Sequence, residues 1–286
     1  MPVDWISQLV GRKSYHCDVV FVVAAVEERE KGQYAILYGR DIRLVADAPV
    51  EDLELLDEER LAKADRQMKE MKENRAKSAA EKERKTDALS FHLPGRVLHL
   101  DGDERYLKKC LKIYKDTNVP HIGVHCPEKE MADRIQDLII RYQPQILVLT
   151  GHDAYLPAQG KKSDLNAYRH SSSFVNAVRN ARKIVPYLDQ LVIFAGACQS
   201  HFESLIYAGA NIASSPLRVN IHALDPAYAA SIISYMSIHS MFTVEDILPH
   251  TLADDNGIGA IETRGVLRIG MPYKKEMYAE TQNDSS

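Results

Sequence analysis

The sequence is poor in cysteine and has no long apolar run. Only four of its 286 residues are cysteine (Cys17, Cys110, Cys126 and Cys198), too few for a disulfide scaffold and typical of a reducing compartment. The longest apolar run covers residues 19–26, whereas a membrane-spanning helix needs about 20 residues. The N-terminus has no basic stretch followed by apolar residues, so we expect no secretory signal. We therefore expect a soluble, intracellular protein with no membrane partner.

An excess of one charge is also missing. The chain has 36 basic and 40 acidic side chains, a net charge of −4 with histidine neutral. Such a chain has no excess of positive charge with which to bind nucleic acid, so we expect no nucleic-acid partner. Apolar residues make up 45% and charged residues 27%, which favours a packed core over global disorder.

Residues 1–56 predict a small β unit. Three short runs rich in β-formers, 19–26, 34–38 and 42–45, are separated by turn residues. Such a pattern is typical of a meander or a small SH3-like barrel. This kind of unit hosts many functions, so it says little about activity.

Residues 57–88 have a different composition. Of these 32 positions 19 are charged, and none is glycine or proline. The only large apolar residues are Leu61, Met68 and Met71, so a coiled-coil seam is missing. We expect a charged helical linker.

Residues 89–286 alternate between strand and helix patterns. This order predicts a mostly parallel α/β sheet with helices on both faces. The predicted strands are 96–100, 119–124, 145–150 and 190–195, and the predicted helices are 104–114, 129–142 and one within 171–187. Ligands bind such sheets beyond the carboxyl ends of the strands, so the residues that follow each strand are the candidates for chemistry.

Two of these strand ends carry reactive side chains. One predicted strand ends in Gly151-His152 and the next in Gly196-Ala197-Cys198, which places an imidazole and a thiol at one edge of the sheet. A cysteine nucleophile needs a base or cation nearby, and His152 can supply it. We also expect Cys198 to begin a helix that runs through residue 205, whose unpaired N–H groups would favour a thiolate.

Several segments resemble the YabG family of sporulation-specific cysteine proteases. The resemblance covers nearly the whole chain except the charged tract. The segments that carry it are residues 12–15, 97–103, 151–155, 165–170, 194–203, 213–216 and 259–274.

The resemblance implies an endopeptidase that processes spore coat and germination proteins after basic residues, chiefly arginine. It places the protein in the cytoplasm of the sporulating cell, associated with the spore coat. The histidine and cysteine strand ends also resemble the caspase, gingipain and clostripain group, and so imply a caspase-like fold. Cys198 is then the nucleophile and His152 the general base and acid. In that group glycine normally follows the histidine and helps to form the oxyanion hole, whereas here Asp153 follows; the backbone N–H groups of Asp153 and Cys198 are the candidates.

Asp103 and Asp101 follow the first predicted strand of this block. A carboxylate at that position caps the next helix, which is the simpler interpretation. In gingipain-like relatives the corresponding strand end carries the acid that pairs with substrate arginine. We therefore expect Asp103, or else Asp101, to line the pocket for the residue before the cleaved bond, with Asp225 and Glu203 as weaker alternatives.

Two other functions stay open. A metal-dependent hydrolase could use polar residues at the predicted edge, although no standard metal-ligand spacing occurs. Those residues are His99, Asp101, Asp103, His121, His125, Cys126, His152 and Asp153. A non-catalytic coat-assembly protein is the other alternative. The cysteine-protease hypothesis requires no metal or cofactor, takes proteins as substrates and leaves the oligomeric state undetermined; it assigns His201 a structural role.

Overall fold

A computed structural model describes residues 4–17, 19–30, 32–42, 44–59, 61–62, 91–251 and 256–270. The N-terminal part forms a five-stranded antiparallel sheet in the order β4-β3-β2-β1-β5. Its strands are β1 (Leu9–Arg12), β2 (Phe21–Arg29), β3 (Gly32–Gly39), β4 (Val45–Pro49) and β5 (Leu53–Leu55). The charged tract predicted at 57–88 lies outside the described residues, apart from 57–59, 61 and 62.

The prediction of three N-terminal strands was incomplete. The runs at 19–26 and 34–38 lie largely within β2 and β3, but the fourth strand is at Val45–Pro49 rather than 42–45. Strands β1 and β5 were missed, because each is short and they pair with one another across most of the N-terminal part. The sheet has its own apolar core, made by Val10, Phe21, Val23, Ala35, Leu37, Ala48 and Leu53.

The second sheet has six strands in the order β13-β11-β10-β9-β7-β8. All neighbours are parallel except β13, which runs antiparallel to β11 at one edge. The strands are β7 (Val97–Asp101), β8 (His121–His125), β9 (Ile146–Thr150), β10 (Val192–Ala195), β11 (Ile212–Ser214) and β13 (Ile258–Ala260). The chain adds β8 on one side of β7 and β9 on the other, so the order of the strands switches between β7 and β9, a point where parallel sheets open a crevice.

Helices cover both faces of this sheet, as predicted. The helices are α1 (Glu104–Asp116), α2 (Met131–Tyr142), α3 (Ser171–Ile184), α4 (Phe202–Ala208), α5 (Asp225–Ser234) and α6 (Val244–Ile247). On one face α2, α3 and α4 pack against side chains such as Leu98, Leu149 and Ile193. On the other, α1, α5 and α6 pack against the alternate residues, such as Val148 and Phe194. Burial on both faces explains the nearly continuous apolar strands.

Two short antiparallel ribbons complete the described part. One pairs β12 (Met241–Phe242) with β14 (Thr263–Arg264), and the other pairs β6 (Phe91–Leu93) with β15 (Arg268–Gly270). The second ribbon joins residues from both ends of the larger unit, because Leu93 lies opposite Arg268.

The two main sheets meet at Tyr106, in the first turn of α1. Its hydroxyl donates to the carbonyl of Gly39 and lies 2.8 Å from the carbonyl oxygen of Ile42, so it is shared by both sides of the β3–β4 turn. The same turn accepts a 2.8 Å hydrogen bond at the Asp41 carbonyl from the N–H of Ala223. The N-terminal sheet therefore rests on α1 and on the segment that precedes α5.

We predict that Tyr106→Phe destabilises the protein by about 1–3 kcal/mol, because the Gly39 and Ile42 carbonyls lose a buried hydroxyl donor, although the Ile42 carbonyl keeps the N–H of Leu44. Urea denaturation measures the effect. Tyr207→Phe is the matched control, since Tyr207 is 90% exposed and its change should stay within about 0.5 kcal/mol. Equal stability of the two variants would show that the turn does not depend on the Tyr106 hydroxyl.

Candidate active site

His152 and Cys198 follow neighbouring parallel strands. His152 comes two residues after β9 and Cys198 three residues after β10. The register continues past the strand ends, because the N–H of Gly196 donates to the Leu149 carbonyl at 3.0 Å. The loops behind the two residues are also joined, since the N–H of Tyr155 donates to the Gln199 side chain at 3.2 Å. The imidazole and the thiol thus share one edge of the sheet.

The buried side chain of Asp153 is hydrogen-bonded to both the loop after β9 and the loop after β10. Its buried carboxylate accepts hydrogen bonds from the backbone N–H groups of Ala154 and His170 and from the hydroxyls of Ser171 and Ser200. Ser200 in turn accepts the N–H of Ala197, the residue before Cys198, at 2.9 Å. Burial raises the pKa of Asp153 above its usual value, although these hydrogen bonds oppose the rise.

The backbone around Cys198 forms a tight turn rather than a helix. Gly196 has φ +107° and Gln199 has φ +57°, conformations that cost energy for most residues and are common at functional sites. The prediction that Cys198 begins a helix was wrong, because α4 begins at Phe202 and has only seven residues. Its N-cap is His201, whose Nδ1 accepts the N–H of Ser204 at 3.3 Å. This contact supports the structural role assigned to His201.

The thiol of Cys198 is covered. Cys198 is only 1% exposed, and its sulfur lies 3.6 Å from the carbonyl oxygen of Ile221. The N–H of Gln199 also donates to the Val219 carbonyl, at 3.0 Å. The segment before α5 therefore packs along the cysteine turn.

His152 is surrounded by two carboxylates and an aromatic ring. Its Nε2 lies 3.7 Å from Oδ2 of Asp103, and its Nδ1 lies 3.8 Å from Oε1 of Glu128. The ring of Tyr106 packs edge-on at a centroid distance of 6.4 Å. Negative charge on both sides favours the protonated imidazole, the form that a cysteine thiolate pairs with.

Asp103 is the N-cap of α1, as its position after the strand indicated. It accepts the N–H of Arg105 at 2.9 Å and binds the guanidinium of Arg105 through both carboxylate oxygens, at 3.1 and 2.7 Å. Burial alone would raise its pKa, but the Arg105 contacts outweigh burial and the pKa is lowered. Arg105 also stacks on Tyr38 of the N-terminal sheet, at 4.3 Å.

The other acidic candidates have partners too. Asp101 is fully buried and accepts the N–H of Asp103 at 2.9 Å. Glu203 forms an ion pair with Arg218. Asp225 is fully buried and accepts the N–H of His222 at 3.2 Å. Each carboxylate thus has a structural partner within this chain.

Comparison with known proteins identifies the family. The family described as YabG peptidase U57 matches residues 5–272. The chain belongs to this family. It is 51% identical over 284 residues to the sporulation-specific protease YabG of Bacillus subtilis (strain 168), covering 94% of this chain and 98% of that protein. The resemblance inferred from the sequence motifs is therefore confirmed, and the chain is a sporulation-associated peptidase.

Membership in the YabG family leaves the catalytic type to be argued from the site. Among the described residues, no helix is both long enough and apolar enough to cross a bilayer. As a peptidase, the protein has other proteins as its substrates.

Residues that could hold a metal gather below the edge of the sheet. In the described part of this YabG-family chain, one metal-compatible group occurs: His99, Asp101 and Cys110, whose ligand atoms lie within 4.8 Å of one another. All three are fully buried, and His99 Nδ1 is hydrogen-bonded to the Tyr114 hydroxyl at 2.9 Å. Because none of the three side chains is open to solvent, the cluster does not support a metal-dependent hydrolase.

The remaining residues of the metal hypothesis point in different directions. His125 is exposed, whereas Cys126 lies in the core on the α2 side, where burial raises the pKa of its thiol. His121 contacts the Val119 carbonyl at 2.7 Å. Together with His152 and Asp153 they do not form a ligand set.

Two site residues were missed from the sequence. Glu128 lies in the turn after β8 and reaches back to His152, and Tyr106 links His152 to the N-terminal sheet. Neither follows one of the two strands that carry the thiol and the imidazole. A pattern based on strand ends cannot find them.

We predict that Asp153→Asn removes a pH dependence of stability. Because the pKa of Asp153 is raised, the folded protein keeps this proton to higher pH than the unfolded chain does. Its contribution to the free energy of unfolding is therefore complete at acid pH and declines as the pH rises through the folded pKa. Asparagine cannot ionise, so the variant lacks this decline.

Urea denaturation between about pH 3 and pH 8 checks this. Asp133→Asn, at an exposed position of α2, is the control and should follow the parent protein. If the stability difference between Asp153→Asn and the parent does not change with pH, Asp153 does not titrate in this way.

Proposed function

We propose that this YabG-family peptidase is a cysteine endopeptidase with Cys198 as nucleophile and His152 as general base and acid. The observation that carries the proposal is the shared edge of β9 and β10, which presents an imidazole and a thiol after neighbouring strands. The carboxylates of Asp103 and Glu128 beside His152 support it further. Both stabilise the charge that the imidazole acquires when Cys198 loses its proton.

The proposed reaction is acyl transfer. The Cys198 thiolate attacks the carbonyl carbon of the peptide bond, and the protonated His152 gives its proton to the leaving amine as the C–N bond breaks. Water then attacks the thioester while His152 takes its proton. The C–S bond breaks, and the acid product and the thiolate are released. This reaction needs no cofactor.

The backbone N–H groups of Asp153 and Cys198 are the proposed oxyanion hole. The N–H of His152 is engaged by Glu128 at 2.7 Å, so it is not available. Within the described residues, no acceptor is hydrogen-bonded to the N–H of Asp153. The Asp153 carboxylate is anchored by four hydrogen bonds to other residues, which orders the adjoining backbone N–H for this role.

We propose that cleavage follows basic residues, chiefly arginine, and that Asp103, or else Asp101, lines the pocket. The support is that Asp103 already binds a guanidinium through both oxygens, that of Arg105. This is the geometry by which a carboxylate selects arginine over lysine. A substrate arginine would have to take the place of Arg105, whose side chain is 55% exposed.

The proposed architecture is a caspase-like peptidase domain at residues 89–286, preceded by a charged helical linker at 57–88 and an SH3-like unit at 1–56. Within the larger domain, numbering its six principal strands in chain order gives the spatial order 2-1-3-4-5-6, which supports the caspase-like assignment. The five antiparallel strands and separate core of the N-terminal sheet support the other.

We further propose spore coat and germination proteins as substrates, and the cytoplasm of the sporulating cell, in association with the spore coat, as the location. The support is the similarity to the sporulation-specific protease of Bacillus subtilis. A non-catalytic role in coat assembly is the competing function. Peptidase activity that is lost in a folded variant would favour the enzyme over this alternative.

We predict that Cys198→Ala abolishes peptidase activity and leaves the protein folded. Alanine removes only the sulfur, so the packing cost should be small. Cleavage of short arginine, lysine, aspartate and alanine peptides measures activity, and thermal unfolding measures folding. Cys17→Ala, in the turn between β1 and β2, is the control and should keep full activity. A folded Cys198→Ala protein that still cleaves peptides would refute the cysteine mechanism.

We predict that Asp103→Asn lowers kcat/KM for an arginine peptide roughly a hundredfold or more, because a desolvated guanidinium loses its counter-charge. Cleavage of the matched citrulline peptide and alkylation of Cys198 by iodoacetamide should change far less. Asparagine also caps helices well, so folding should survive. Asp101→Asn is compared in parallel. If both variants keep the arginine preference, the pocket lies elsewhere, and Asp225 and Glu203 are tested next.

A further inference from the structure

Glu128 occupies the crevice between the ends of β7 and β9, where the strand order of the sheet switches sides. It lies in a short 3-10 turn, Glu128–Glu130, that precedes α2. Glu128 is only 8% exposed, and its Oε1 accepts the backbone N–H of His152 at 2.7 Å. The same oxygen lies 3.8 Å from Nδ1 of the His152 ring. One carboxylate therefore contacts both the backbone and the side chain of this histidine.

The space for this carboxylate is made by two glycines. A Cβ at Gly102 would lie 2.1 Å from Oε1 of Glu128, and a Cβ at Gly151 would lie 2.3 Å from it. Neither glycine has a positive φ, so backbone conformation does not demand glycine at either position. The absence of a side chain at both strand ends is instead what admits the carboxylate.

The charge of Glu128 also needs a partner. A buried carboxylate is costly unless it is paired. Among the described residues, no lysine or arginine forms an ion pair with Glu128, and its one ion-pair contact is His152. The neighbouring acid, Asp103, differs because it has the guanidinium of Arg105. Within the described part of the chain, the histidine is thus the one basic side chain in ion-pair distance of the Glu128 carboxylate.

We infer that Glu128 is a positioning residue for His152. It fixes the backbone at His152 through the N–H, and it stabilises the imidazolium that forms when Cys198 is a thiolate. This inference rests on the proposed cysteine-protease function and deepens it. Glu128 does not touch the substrate; it acts through His152.

The first test is Glu128→Gln, which keeps an oxygen for the His152 N–H and removes the charge. We expect kcat for an arginine peptide and the rate of Cys198 alkylation by iodoacetamide at neutral pH to fall together, about tenfold or more. KM should change little, because the interaction is not with the substrate. Glu130→Gln, at the exposed end of the same turn, is the matched control and should keep parental rates.

The second test leaves Glu128 in place and fills its space. Gly102 follows β7, whereas His152 follows β9. The methyl group of Gly102→Ala would displace the Glu128 carboxylate. We expect the same joint loss of kcat and alkylation rate. Because both changes remove one interaction, combining Gly102→Ala with Glu128→Gln should cost little more than either alone. Strictly multiplied losses in the double variant would overturn the inference.

The outcomes also distinguish a failure of the proposed role of Glu128 from a failure of the proposed cysteine-protease function. If Cys198→Ala is active, the cysteine mechanism itself fails. If Cys198→Ala is inactive while Glu128→Gln and Gly102→Ala, shown folded by thermal unfolding, keep parental kcat and alkylation rates, only the role of Glu128 is wrong. A loss of thermal stability with unchanged alkylation would likewise assign Glu128 a purely structural role.

Discussion

The buried carboxylate of Asp153 determines how the edge of the large sheet is built. It binds the loop after β9, the first turn of α3 through Ser171, and the cysteine turn through Ser200. Ser171 then accepts the N–H of His201 at 2.8 Å, which extends the network to the cap of α4. Three segments distant in sequence, the loop after β9, the start of α3 and the turn that leads into α4, thus meet around one side chain. Polar networks of this kind specify a unique arrangement because each unmet hydrogen bond inside them is expensive.

The parallel sheet was predictable from sequence because its strands are buried on both faces. Strands β9 and β10 are nearly continuous apolar runs, and each is followed by a turn and a helical pattern. The N-terminal sheet was harder. Strand β5 has only one buried residue, Leu53, and pairs with β1 about 40 positions away. Local periodicity contains no information about such distant pairing.

The positions of His152, Cys198 and Asp103 followed from one topological rule, that parallel strands end at a common edge. Glu128 could not be found in this way. In sequence it follows a proline and begins a turn before a helix. A glutamate at such a position ordinarily stabilises the helix by its interaction with the positive N-terminal end of the helix dipole. Only the three-dimensional neighbours Gly102 and Gly151 show that its carboxylate turns inward. The predicted helix at Cys198 failed for a related reason, since Gly196 and Gln199 both have positive φ and keep the chain in a turn.

The low exposure of Cys198 also determines how easily reagents reach its thiol. With 1% of Cys198 exposed and the Ile221 carbonyl oxygen 3.6 Å from its sulfur, small reagents and polypeptides meet the same steric restriction in this conformation. Thiol oxidation requires both access and thiolate character. This cover therefore limits oxidation of the thiol and, with Cys198 as the proposed nucleophile, limits its attack on a substrate by the same steric effect.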